Sequence, residues 1–336
     1  MTYKTKKMKR SYKIKQLLQT ALLIITFLLP AEYLFAQDST IVEEKAAPVK
    51  KYVKNTFESI WIIDNQTVEV PVNGTFEMDI MHRFGTLQKG YKDFYGFFAP
   101  SNIRLGFSYV PIKNLLAGVS ITKTNLTWEG YAKYAILKQT KGNENPVSVT
   151  YYVNMAVETR TKENYAHFSD RLSYFHQLMV ARKINDKISI QVAPSLTHVN
   201  YVFGQFVDTT IDKTGRIQDR SHNHYAIALS ARYKIKEGMG IIFNYDQPLT
   251  SWKIGSWYPF GQHKSGNPSP NLSVGLEMTT SAHAFQIFFG NFYFLSPQRN
   301  NYSNANDPIT IKSFNNITFH KEKFLIGFNI TRLWNY

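Results

Sequence analysis

From Gly74 onward the chain keeps a period of two through run after run, and this constrains its fold more than any other feature. Phe76, Met78, Ile80, His82 and Phe84 alternate with Thr75, Glu77, Asp79, Met81 and Arg83. Ile103, Leu105, Phe107 and Tyr109 repeat the pattern, as do Leu115, Ala117, Val119 and Ile121. So do Val149, Tyr151, Val153, Met155 and Val157, and, further on, Tyr225, Ile227, Leu229, Ala231 and Tyr233. Helical periodicity is nearly absent. The runs add up to about twelve strands, many long enough to cross an apolar slab at the tilt of a barrel. So many long strands in an open sheet would leave two edges of unpaired backbone groups, and closure removes both. The expected fold is all-β, a single up-and-down antiparallel transmembrane barrel.

Two runs are less regular. Residues 171–183 mix apolar side chains on both faces around Phe175 and Met179. Within 187–203 the apolar parity changes from Ile188, Ile190 and Val192 to Val199, Tyr201 and Phe203, which predicts a bulge at Pro194. The connections between runs mostly alternate short and long; the connection after the third strand breaks the alternation. Alternate hairpins of an up-and-down barrel lie at opposite ends, so short turns are expected on the periplasmic side and long loops outside.

Alternation alone does not say which face meets lipid. The apolar faces are aromatic, with Tyr109, Trp128, Tyr134, Tyr151, Tyr233, Tyr245, Trp334 and Tyr336 near strand ends, where amphipathic rings suit a membrane–water boundary. The other faces carry small polar residues and both signs of charge. This assigns Glu77, Asp79, Arg83, Arg104, Glu129, Lys133, Glu158 and Glu277 to the lumen. An Arg or Lys facing the bilayer midplane costs roughly 2–4 kcal/mol. Arg332, the one charge on the apolar face of the last strand, lies near its end, where a long side chain reaches water.

Lys4, Lys6, Lys7, Lys9, Arg10, Lys13 and Lys15 precede the apolar stretch Leu17 to Leu29, and Ala36 supplies a small residue before Gln37. Residues 1–36 read as a cleaved signal peptide, with a retained anchor as the rival reading. Its removal takes seven basic residues and Glu32, so the formal +15 falls to about +9. No basic–aromatic cluster accompanies that charge, and nucleic acid is not an expected partner. With no cysteine, the chain has no disulfide, no thiolate metal site and no cysteine nucleophile. Residues 37–55 are charged and aperiodic, a periplasmic linker. Residues 56–73 hold a short apolar stretch around Phe57, Ile60, Trp61, Ile62 and Ile63, read as a plug or as a lead-in to the first strand; the barrel takes 74–336.

Chemical motifs are sparse. His167 with Ser169 and Asp170, and His176 near Ser173, are neighbours without a nucleophile elbow, and nine histidines in such a chain produce them by chance. His222 and His224 are two apart, but two ligands do not make a metal site. No metal or cofactor is expected. Trp252, Trp257, Tyr258 and Phe260, with Lys253, His263 and Lys264, suit either an external ligand surface or the local core of a long loop.

The last residues, Phe324, Ile326, Phe328, Ile330, Trp334 and Tyr336 on one face, resemble the C-terminal strand by which the barrel-assembly machinery recognises outer-membrane proteins. TFESIWIIDNQTVEVP (56–71), FEMDIMHRFG (76–85), SNIRLGFSYVPIKNL (101–115), NYDQPLT (244–250), HAFQIFFGN (283–291) and GFNITRLWNY (327–336) together resemble an uncharacterised domain-of-unknown-function family of Bacteroidetes outer-membrane β-barrels. The resemblance implies location and fold, and no chemistry. The expected function is non-enzymatic passage or binding of a small solute. The alternatives are an accessory barrel with a plugged lumen and a barrel enzyme acting on lipid.

Overall fold

The computed structural model describes residues 51–336 except 161, 203, 207–216, 220, 250–267, 314–315 and 336. Residues 1–50, which hold the expected signal peptide and most of the expected linker, and Trp252, Trp257, Tyr258, Phe260 and Tyr336 lie outside the described residues.

Twelve antiparallel strands close into one barrel. They are β1 (Thr75–Thr86), β2 (Asn102–Ile112), β3 (Leu115–Thr122), β4 (Thr127–Leu137), β5 (Ser148–Glu158) and β6 (Leu172–Lys183). The second half is β7 (Ile188–Val199), β8 (Asn223–Lys236), β9 (Met239–Pro248), β10 (Asn271–Thr279), β11 (His283–Gly290) and β12 (Leu325–Asn335). Each pairs with its sequence neighbour, and β12 closes onto β1 from Leu325–Thr86 to Asn335–Thr75. Both strand termini of the barrel lie at the rim of short turns, and the long connections gather at the opposite rim.

The faces sort as a membrane barrel requires. Phe107, Val119, Met155, Leu178, Val192, Leu229 and Ile287 point outward and are exposed. Tyr109, Tyr134, Tyr151, Tyr233 and Trp334 ring the turn rim, with the Arg332 guanidinium 4.8 Å over the Trp334 ring. Trp128, Tyr174, Tyr225 and Tyr245 occupy the other rim. Two aromatic belts thus bound an apolar waist, which matches a bilayer and no aqueous surface.

Three sequence expectations need correction. There is no bulge at Pro194. The outward stripe runs Ile188, Ile190, Val192, Pro194, Leu196 and His198 without a slip, and Val199 ends the strand. The proline, which lacks an N–H, instead leaves a gap in the β6–β7 ladder, which passes from Gln177–Ser195 to Val180–Val192 at constant register. Residues 172–183 alternate regularly, and their faces looked mixed because Phe175 and Met179 are buried inside the barrel. Phe324 precedes β12; it packs against Phe319 with ring centroids 5.4 Å apart.

Leu229→Arg, at the waist, is expected to lower unfolding stability in lipid vesicles by roughly 2–4 kcal/mol, and Tyr233→Arg near the belt by about 0–1 kcal/mol. Urea titration of tryptophan fluorescence measures both; equal effects at the two sites would contradict the assigned waist.

Candidate functional site

Residues 56–72 enter the lumen from the turn rim, reverse at Ile63–Asp64 and return to β1. Trp61–Ile62 pairs with Asn65–Gln66 as a two-stranded hairpin. Phe57, Ile60, Trp61, Ile62, Ile63, Val68 and Val70 are all buried there. They join Met81, Leu116, Tyr131, Tyr152, Phe175, Met179 and Phe288 of the wall in one apolar cluster. Burying each such side chain contributes about 1.5–3 kcal/mol relative to exposure.

A hairpin inside a barrel has two free backbone edges, and these must find partners. Wall amides supply them. Gln286 accepts from the Ile63 N–H at 3.0 Å and donates to the Trp61 carbonyl at 2.8 Å. Gln191 accepts from the Val68 N–H and donates to the Gln66 carbonyl. Asn244 donates to the Ile62 carbonyl, Asn329 to the Ile63 carbonyl, and the Thr150 hydroxyl to the Val68 carbonyl. Ile63 holds φ of 61°, a conformation unfavourable for a β-branched residue, at the tip these bonds enclose.

The lumen charges form small closed groups around this hairpin. The Arg104 guanidinium reaches Asp79 at 2.8 Å and Glu129 at 3.0 Å, and lies 4.8 Å over the Trp61 ring. Gly106 opposes Asp79, and a Cβ there would collide with the Asp79 carboxylate, so the glycine makes room for the pair. Lys133 donates to the Gln66 side chain at 2.8 Å and the Thr67 carbonyl at 3.2 Å. Arg83 donates to Asn329 and stacks 4.5 Å over Phe288. Glu277 pairs with Arg232. Glu77 is equally buried, and neither of its oxygens has a hydrogen-bond partner.

From the long-loop rim residues 291–307 fold inward. Its short helix α1 (Pro297–Ser303) has four buried positions and no apolar stripe. Its polar side chains dock it: Gln298 donates to Asn154 at 2.6 Å, Arg299 pairs with Glu158 at 2.6 Å, and Asn300 reaches Asp64 at 3.4 Å. Glu158 therefore sits at the long-loop mouth, half-buried, at the end of β5. A cavity of about 160 Å³ lies beside it, lined by Tyr165, Arg171, His224, Arg299 and Tyr302. Burial, reinforced by Glu158, raises the Tyr165 hydroxyl above its ordinary pKa, so it stays a donor to that carboxylate.

His176 and Ser173 do not converge. His176 points outward and bonds Tyr151, whereas Ser173 faces the other way. The Asp170 carboxylate accepts from the His167 backbone N–H as a helix cap. His222 bonds the Val199 carbonyl, and His224 turns inward against the Tyr302 ring. Among the described residues no group of three His, Cys, Asp or Glu could hold a metal ion.

Arg104→Met is expected to lower stability by about 3–5 kcal/mol, because Asp79 and Glu129 would remain buried without a counter-charge. Denaturant unfolding in vesicles measures it, and a loss below about 1 kcal/mol would contradict the closed group.

Residues 57–334 match the model of a family described as Membrane bound beta barrel domain (DUF5777). No curated protein matches the chain. Among solved structures, the NanC porin is similar at 10% identity and a TM-score of 0.44, over 78% of this chain and 99% of that one. An outer membrane channel from Pseudomonas putida F1 is similar at 12% identity and a TM-score of 0.44, over 79% of this chain and 97% of that one. LpxR from Salmonella typhimurium is similar at 11% identity and a TM-score of 0.34, over 76% of this chain and 99% of that one.

Proposed function

The chain belongs to the DUF5777 family of membrane-bound β-barrel domains, and on that footing we propose that it is an outer-membrane barrel that binds a small solute and conducts nothing while its internal hairpin is seated. The supporting observation is the dryness of the inner wall. A water column would leave the residues lining it exposed. Instead each of the twelve strands carries an inward side chain that is at most 2% exposed, among them Arg83, Leu116, Lys133, Thr150, Met179, Ser230, Ile242 and Asn329. Binding then belongs to the cavities at the two mouths, and passage requires the hairpin to leave.

The location rests on the two aromatic belts, the segregation of long loops to one rim, and the resemblance to Bacteroidetes outer-membrane barrels. The barrel-assembly machinery is the expected partner during insertion, acting on β12, and membrane lipid is the partner of the waist thereafter. The reading is non-enzymatic, because the inward polar groups are largely taken up in holding the hairpin and α1. A second reading, an accessory barrel that never opens, is favoured by one observation: seven apolar side chains of the hairpin are buried in the wall's own core.

Purified protein in planar bilayers is expected to give no steady current, and a variant lacking residues 56–72 to give stable conductance steps. Heat-modified gel mobility checks that the variant folds. Silence from a folded deletion variant would favour the accessory reading, and steady current from the intact protein would contradict both.

A further inference from the structure

We propose that the turn-rim mouth holds a binding site for a small organic ammonium ion, an inference that deepens the solute-binding reading and rests on it. A cavity of about 280 Å³ lies between the hairpin and the wall there. Three carboxylates line it, from Glu58 and Glu69 on the hairpin and Glu77 on β1. Two are partly engaged. Glu58 accepts from Asn55 at 3.0 Å and stands 3.8 Å from Arg232, and Glu69 accepts from the Phe57 N–H at 3.2 Å.

Glu77 differs. It is 3% exposed, faces this cavity, and has no hydrogen-bond partner for either oxygen. A buried polar group without a partner is destabilising, and more so when it is charged. Its nearest counter-charges do not bond it: Lys133 gives its hydrogen bonds to the neutral Gln66 and Thr67, and Arg104 is held by Asp79 and Glu129. Asp79, two residues along the same face, adds a further negative charge. Arg232 pairs with Glu277 as well as Glu58, and His283 is the remaining titratable group of the lining. Negative charge is in excess.

The lining also selects among cations. No three carboxylate or imidazole groups approach closely enough to ligate a metal among the described residues. Ser59 and Thr280 offer hydroxyl acceptors, while Phe57 and Ile60 offer apolar surface. An N–H-donating head with a short hydrocarbon body satisfies both: its ammonium bonds Glu77, and its carbons lie against Phe57 and Ile60. A cation bound here sits at the end of the hairpin where it enters the lumen, and bridges hairpin to wall.

Isothermal titration calorimetry of the intact protein in detergent, with n-butylammonium chloride as probe, tests the site. The expected result is saturable one-site binding, weakened about tenfold or more by Glu77→Gln, with no saturable heat from n-pentanol. Ala284→Leu narrows the cavity without changing charge and is expected to abolish binding, and heat-modified gel mobility checks that both variants fold. Absence of saturable heat, equal binding by the Glu77→Gln variant, or equal affinity for potassium would overturn the proposal. The titration reads the seated protein, so steady current from the intact protein with binding retained would count against the closed lumen alone.

Discussion

A barrel in lipid turns its apolar stripe outward, and every polar group it sends inward must then find a partner without bulk water. That requirement shapes the whole interior. Twelve strands bring Arg83, Arg104, Lys133 and Arg232 into a narrow lumen together with carboxylates and a set of amides. The charges close into local groups, such as Arg104 between Asp79 and Glu129. The amides reach for backbone as well as for charge: Gln286 also donates to Glu277, Asn244 to Asp64, and Asn329 accepts from Arg83. The hairpin at 56–72 is the backbone they reach. Gln286 and Gln191 each both donate to it and accept from it, as an adjacent strand would.

The same logic explains the opposite mouth. Helix α1 has no hydrophobic stripe and is too short to be stable by itself. It is held by Gln298 on Asn154, Arg299 on Glu158 and Asn300 on Asp64, so the tip of the hairpin and the inturned loop meet. The interior is thus part apolar core and part amide lattice. The core contributes most of the burial energy, and the amides fix where the hairpin sits.

The outer wall was legible in the sequence because every strand crosses the same uniform slab, which leaves the period of two undisturbed. The inner wall is not uniform. Phe175 and Met179 pack against the hairpin and blurred the faces of their strand, and Pro194 imitated a bulge while breaking only hydrogen bonds to β6. The apolar stretch at 57–63 was visible, but its destination was not. Its partners Gln286 and Asn329 lie 223 and 266 residues away, at spacings no local pattern reports. Residues 297–303 read as loop, because their burial depends on amide and guanidinium contacts rather than on apolar periodicity. The charges of the candidate site could be assigned to the inner face by parity. Which of them are paired, and that Glu77 is not, depends on three-dimensional reach.

The central claim is that the chain's own N-terminal hairpin fills the barrel. Hydrogen–deuterium exchange of the backbone amides of Ile63, Thr67 and Val68 in the intact protein tests it most directly. Their N–H groups are bonded to Gln286, to the Ile60 carbonyl and to Gln191 inside the wall. The account predicts protection comparable to that of amides in β5 and β11. Exchange at the rate of a free peptide, while the strand amides stay protected, would place the hairpin outside the lumen and contradict it.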